Sequence, residues 1–256
     1  MRVELLARPG PLSFQRGLLN VPLHHLKVVS TRRATTLAGH GLRVGSVEHL
    51  FAALAALRVR SGLCVAIDQD ELPLLDGGAT TWLNALEVLQ LEPSAAALHI
   101  TRTATIVHGD STYRFERFER FEPADSPRLA IEFVVDDPRL VSEARWDGDL
   151  RDFCTRIAPS RTFGWSREVD DLLAQGLASH VDPGSVVVLA EDTIHGAHFE
   201  PDEPARHKLL DLMGDLFVWG GPPNGLVHAI RPGHTATHGV MVRALAEGIL
   251  WQDQAC

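Results

Sequence analysis

The sequence predicts an α+β fold in which one α/β sandwich, a mainly antiparallel sheet packed on a pair of helices, is built twice. Three observations predict it. Alternating runs such as RVELLAR and TYRFERF read as strands, and they are gathered at the start of each half rather than interleaved singly with helices. Each run then gives way to segments with apolar residues at helical spacing. Between the halves lies EPSAAA, a small-residue stretch that reads as a linker and divides the chain into units 1–93 and 97–256.

In the first unit RVELLAR alternates as a half-buried strand, and LSFQRG after a Pro-Gly turn suits its hairpin partner. GLRVG is a short strand, Ser46 a helix N-cap, and VEHLFAALAAL an Ala/Leu-rich helix with Glu48 and His49 in its first turn. GLCVAID reads as a buried strand, DELPLLDGGATTW as a loop with an Asp-Gly-Gly turn, and TTWLNALEVL as a second helix.

In the second unit ALHITRTATIV, TYRFERF, RLAIEFVV and EARWDG alternate as antiparallel strands do, and DLRDFCTRIA begins the first helix. APSRTFGW reads as a loop, SREVDDLLAQG as helix and SVVVLAED as a buried strand. PARHKLLDLMGDLF, from Pro204 to Phe217, is amphipathic. GLVHAI is a strand, and RPGHTATHGVMVRALAEGIL carries a tight turn into a last helix.

The composition excludes several classes. The 256 residues, 45% of them apolar, suffice for a large core. No apolar run approaches the ~18 residues of a membrane span and no signal segment is evident, which predicts a cytoplasmic protein. The net charge of −9 argues against nucleic acid as a partner. Cys64, Cys154 and Cys256 are odd in number and far apart, so they read as reduced thiols, with Cys64 in the core. G-x-S-x-G, P-loop and dinucleotide fingerprints do not occur.

The amphipathic helix carries a chemical stripe. His207, Asp211 and Asp215 stand four apart, so the first two can close on one tetrahedral ion, with Asp215 placed for an outer role or proton handling. A solvated polar face is the alternative. Glu48-His49 supplies the missing imidazole, and because consecutive helical residues diverge by about 100°, Glu48 would then reach past the ion to the place of a general base. Two His and one Asp leave a coordination position open, as catalytic zinc sites do, although iron or cobalt would fit the same donors.

SVEHLFAALAAL, LPLLDGGA, SRTFGW, RHKLLDLMGDL and PGH, in this order, resemble the motifs of the UDP-3-O-acyl-N-acetylglucosamine deacetylases, zinc amidases of lipid A biosynthesis. The resemblance runs from about Arg2 to the last helix. It implies two domains of similar topology with the active site between them, a Zn2+ cofactor (Fe2+ also compatible) and an acylated UDP-sugar as substrate, met at most through transient contact with a membrane surface. Carried over by residue, it makes His49, His207 and Asp211 the metal ligands and Glu48 the base. It makes Thr162 a donor to the oxyanion, Lys208 a contact for developing charge and substrate, and His234 the acid toward the leaving amine, oriented by Asp215. Phe163 becomes a wall of the substrate pocket.

There are departures. The family opens with one more strand and a glycine-rich turn, so the first sheet is expected to be a strand short. The GLASHVDPGS segment, with His180, Asp182 and Pro183, is more polar than its family counterpart. His195 and His198 read as surface histidines, and only Arg114 offers itself as a basic contact for the diphosphate. These differences leave two alternatives: a zinc amidase acting on another amide, or a binding homologue without catalysis. The oligomeric state stays open.

Overall fold

The computed structural model describes residues 1–95, 97–118, 127–168 and 182–252 of the chain. They form a mixed α/β structure with several sheets, most of whose strand pairs are antiparallel, as an α+β fold requires. The first sheet has the order β1 (Val3–Pro11), β7 (Ser61–Ile67), β2 (Ser13–Arg16), β3 (Leu19–Pro22). β7 lies between β1, antiparallel to it, and β2, parallel to it. LSFQRG is therefore not the hairpin partner of RVELLAR. The buried run Leu63–Val65 takes a strand on each side, which satisfies both rows of its backbone groups. β4 (Lys27–Ser30), β5 (Thr36–Gly39) and β6 (Leu42–Val44) make a small antiparallel sheet just before helix α1 (Glu48–Ala56).

Every residue of α1 is buried, which explains its alanines: small side chains let other elements close on it from all sides. Its expected cap is corrected. Val47 occupies the N-cap position, and the Ser46 hydroxyl donates instead to Glu71 Oε1 at 2.6 Å. Ser46 has φ +55°, so its side chain turns away from the helix amides. α2 (Thr80–Glu87) turns Trp82, Leu83 and Leu86 inward.

The second large sheet has the order β12 (Glu143–Trp146), β11 (Pro127–Glu132), β16 (Gly225–Ile230), β10 (Ser111–Glu116), β9 (Ala104–His108). Its pairs are antiparallel except β11 with β16. ALHITRTATIV is not one strand. It splits into β8 (Leu98–Ile100), which pairs with β17 (Leu250–Gln252), and β9, which pairs with β10, so the two pieces serve different sheets. The expected SRTFGW loop is also corrected: Thr162–Trp165 is strand β13, parallel to β14 (Val186–Leu189), which in turn pairs with β15 (Ile194–His195). α3 (Leu150–Asp152), capped by Asp149, runs into a π-helical turn at Phe153–Ile157. Most of SREVDDLLAQG, His180 and Cys256 lie outside the described residues.

Two long helices follow among the described residues, α4 (Glu203–Phe217) and α5 (His234–Ala246). α4 is buried along almost its whole length, with Leu209, Leu212, Met213 and Leu216 in the core. It packs on α1 at Gly214, where an added Cβ would run into the Glu48 backbone. That close approach sets the first turn of α1 beside the His207–Asp215 stripe of α4.

Candidate active site

Of the residues predicted from separate motifs, Glu48, His49, Thr162, Phe163, His207, Lys208, Asp211 and His234 line one cavity of about 340 Å³, while Asp215 is hydrogen-bonded to His234 and is not among the lining residues. His49 comes from α1, His207 and Asp211 from α4. One ligand atom of each lies within 4.8 Å of the others, and all three residues are buried. The solvated-face alternative is thus excluded for this stripe. His207 and His49 present Nε2 to Asp211 Oδ1 at 3.5 Å and 3.8 Å. The His207 Nδ1–H donates to the Ser160 carbonyl at 3.0 Å, which leaves the Nε2 lone pair facing inward. Lys208 donates to the other Asp211 oxygen at 2.9 Å.

Burial pushes the His49 imidazole down to about 3, helped by His207 and opposed by Asp211. Burial lowers His207 likewise against the pull of Asp211. Burial would raise Asp211, but Lys208 and the imidazoles outweigh it and hold the carboxyl well below its ordinary range. Burial would lower Lys208, yet Asp211 raises it. The result is two neutral imidazoles and one carboxylate, the protonation states in which these groups bind a metal.

Glu48 differs. Burial raises its carboxyl to about 7, with Asp211 and Asp215 adding to the rise and His234 opposing it. Its Oε2 accepts from the Thr35 amide at 3.0 Å. On the other side of the cavity His234 donates from Nδ1 to Asp215 Oδ2 at 2.8 Å. Burial alone would lower His234, but the Asp215 carboxylate outweighs it and, with Asp211 and Glu48, raises it to about 10. Burial would raise Asp215; His234 and His238 lower it instead to about 2.

Thr162 and Phe163 enter on β13. The Asp-Gly-Gly turn holds this strand: the Thr162 amide and hydroxyl both donate to the Gly77 carbonyl, at 2.8 and 3.1 Å. Gly78 packs so tightly on the Ala158 carbonyl that no side chain would fit. Phe163 meets His207 edge-on, with centroids 6.0 Å apart, and lies under the Lys208 ammonium.

The sequence model of the family described as UDP-3-O-acyl N-acetylglycosamine deacetylase matches residues 8–247. The chain belongs to this family. Among curated members, a UDP-3-O-acyl-N-acetylglucosamine deacetylase of Myxococcus xanthus is 33% identical over 96% of this chain and 81% of its own length. One of Thermosynechococcus vestitus is 35% identical over 89% of this chain and 78% of its own. One of Nitratiruptor sp. is 31% identical over 96% and 83%.

For this family member the donor set fits a zinc-type ion. At ligand bonds of about 2.0–2.1 Å a tetrahedron has edges of roughly 3.3–3.4 Å. The 3.5 and 3.8 Å separations need only a small inward movement. The Ser160 and Lys208 contacts each fix one of these side chains, His207 and Asp211, from behind, the arrangement that outer partners of metal ligands take.

Several residues at the site escaped the sequence reading. Arg33 lines the cavity, whereas Arg114 pairs with Glu116 and does not. Thr35, Ser160, Trp219 and His238 hold the functional groups from behind. Of these only His238, one helical turn after His234, carried a local signal. His195 and His198 are exposed, as expected.

Proposed function

We propose that this protein is a zinc-dependent deacetylase that hydrolyses the acetamide of UDP-3-O-acyl-N-acetylglucosamine, releasing acetate, in lipid A biosynthesis. The observation that carries this reading is the joint placement, around one cavity, of a His-His-Asp donor set, a carboxyl raised toward neutrality and an imidazole held charged. The names and coverage of the relatives support the substrate.

A zinc-type ion held by His49, His207 and Asp211 would polarise the amide carbonyl and render water more acidic. Glu48, with a carboxyl near neutrality, accepts the proton of the attacking water. His234, charged at neutral pH, returns a proton to the nitrogen as the C–N bond breaks, so acetate and the free amine leave. Asp215 keeps that imidazole oriented and charged. Thr162 would donate to the oxyanion by turning its hydroxyl from Gly77 into the cavity. Lys208 steadies Asp211 and adds positive charge at the rim, and Phe163 bounds the cavity.

We divide the chain into two sandwich domains, 1–93 and 97–256, with the site between them. The pairing of α1 with α2 and the Phe51–Phe14 ring contact between α1 and β2 in one half, and the packing of α4 on β11 and β12 and of α5 on β9 in the other, support that division. Among the described residues no helix is long and apolar enough to cross a membrane. The free thiols of Cys64 and Cys154 suit a cytoplasmic enzyme.

The test is the assay of Glu48→Gln against wild type, at equal zinc content, on the acylated UDP-sugar. Loss of a general base lowers the rate by about 10² to 10⁴. Near-normal turnover by the variant would exclude Glu48 as the base, and an inert wild type would exclude this substrate.

A further inference from the structure

Asp215 sits between two imidazoles. His234 and His238, one turn apart on α5, reach its two oxygens separately: His234 Nδ1 lies 2.8 Å from Oδ2 and His238 Nε2 lies 3.3 Å from Oδ1. All three groups are buried. A carboxylate so shared can hold the charge on either ring, and only His234 lines the cavity. The difference between the rings lies in what backs them.

Trp219, just past the end of α4, donates its indole Nε1–H to His238 Nδ1 at 2.9 Å. An indole nitrogen can only donate, so His238 Nδ1 presents its lone pair and the ring proton is on Nε2. That proton points at the Thr35 hydroxyl oxygen, 3.0 Å away. The Thr35 hydroxyl in turn donates to Asp215 Oδ1 at 2.6 Å. Every proton in the series then has one direction, from Trp219 through His238 and Thr35 to Asp215. A second proton on His238 Nδ1 would set donor against donor at Trp219. The Thr35 amide meanwhile donates to Glu48 Oε2, so one residue touches both the base and the carboxylate behind the acid.

We propose that Trp219, His238 and Thr35 are positioning residues: their one-directional hydrogen-bond chain keeps His238 in the Nε2–H form and confines the positive charge on Asp215's partners to His234. The claim rests on the reading above, in which His234 is the acid toward the leaving amine. His234 is faced by Asp215, Asp211 and Glu48, all of which favour its charged form, in agreement with this assignment.

The test uses the full zinc-loaded chain, with 15N spectra of the histidine rings and steady-state kinetics on the acylated UDP-sugar. In wild type the ring signals that vanish in His238→Gln should show a protonated Nε2 and a bare Nδ1. Trp219→Phe keeps the ring but not the donor; His238 should then take a proton at Nδ1. In that variant kcat should fall on the order of 10-fold with KM little changed, and the alkaline limb of the pH profile should move to lower pH. His238→Gln retains an N–H near the Nε2 position and should keep most of the rate. His238→Asn can still accept from Trp219 but loses that N–H, and should fall as Trp219→Phe does.

An Nδ1–H form of His238 in wild type would overturn the proposal, as would a Trp219→Phe enzyme with wild-type ring states and pH profile. Equal losses in His238→Gln and His238→Asn would reduce His238 to packing and also overturn it. If Trp219→Phe does not fold, the His238 pair decides. A wild type inert on this substrate would sink the deacetylase reading, and the ring spectra would still decide the protonation claim.

Discussion

Gly214 of α4 lies directly against the backbone of Glu48 on α1: a Cβ built on Gly214 would stand 2.7 Å from the Glu48 Cα and closer still to its carbonyl. No side-chain rotation can relieve a clash with backbone. The approach brings the Glu48-His49 pair to His207 and Asp211, so the proposed donor set depends on a missing methyl group. Ala is normally the better helix former by about 1 kcal/mol, yet here forced separation of two helices should win. Gly214→Ala is expected to lose about 1–3 kcal/mol in urea unfolding and much of its zinc affinity. A variant of unchanged stability with full zinc would show that the helices can part freely.

Replacing His207 by Ala removes one of three protein donors, and the bound metal should fall well below one per chain by elemental analysis. Glu48→Gln leaves the donors intact and should retain the ion. Equal occupancy in wild type and His207→Ala would reject the assignment.

The His234 imidazole is raised to about 10 in the folded chain against about 6.5 when unfolded. A raised folded value means that its stabilising effect is complete below about pH 6.5 and disappears as pH rises through 10. Thermal unfolding of metal-free wild type and His234→Gln should therefore differ most near pH 6 and converge toward pH 10. A gap that stays constant over this range would contradict the Asp215–His234 charge pair. Turnover should follow the same groups, rising as Glu48 ionises and falling as His234 loses its proton.

Asp215 and His234 should behave as a unit, because each holds the other in its charged state. Either single substitution should slow turnover without emptying the metal site. The double variant should be about as slow as the worse single one. Fully multiplicative losses would indicate independent roles.

Much of the site was legible in the chain because its parts are local. His207 and Asp211 are neighbours on any helix, and the apolar positions of PARHKLLDLMGDLF make that helix certain to form against a core. Glu48 and His49 diverge because they are adjacent on a helix. The strand-rich halves followed from alternation. What misled was pairing: β7 between β1 and β2, and β13 beside β14, join segments whose partners no local pattern names. Ser46 looked like a cap by residue type, but its backbone at φ +55° sends the hydroxyl to Glu71.

By itself the sequence determined which residue types recur at helical and strand periods, and hence the donor stripe on α4, the Glu-His pair on α1 and the turn before His234. Tertiary structure alone decided that Thr35 reaches Asp215 across 180 residues of chain, that Trp219 orients His238, and that Arg33 rather than Arg114 lines the cavity. The physical reason is one of range. Covalent geometry carries a side chain's direction over about one helical turn, whereas contacts between distant segments follow from how buried surfaces such as Gly214 against Glu48 close on each other.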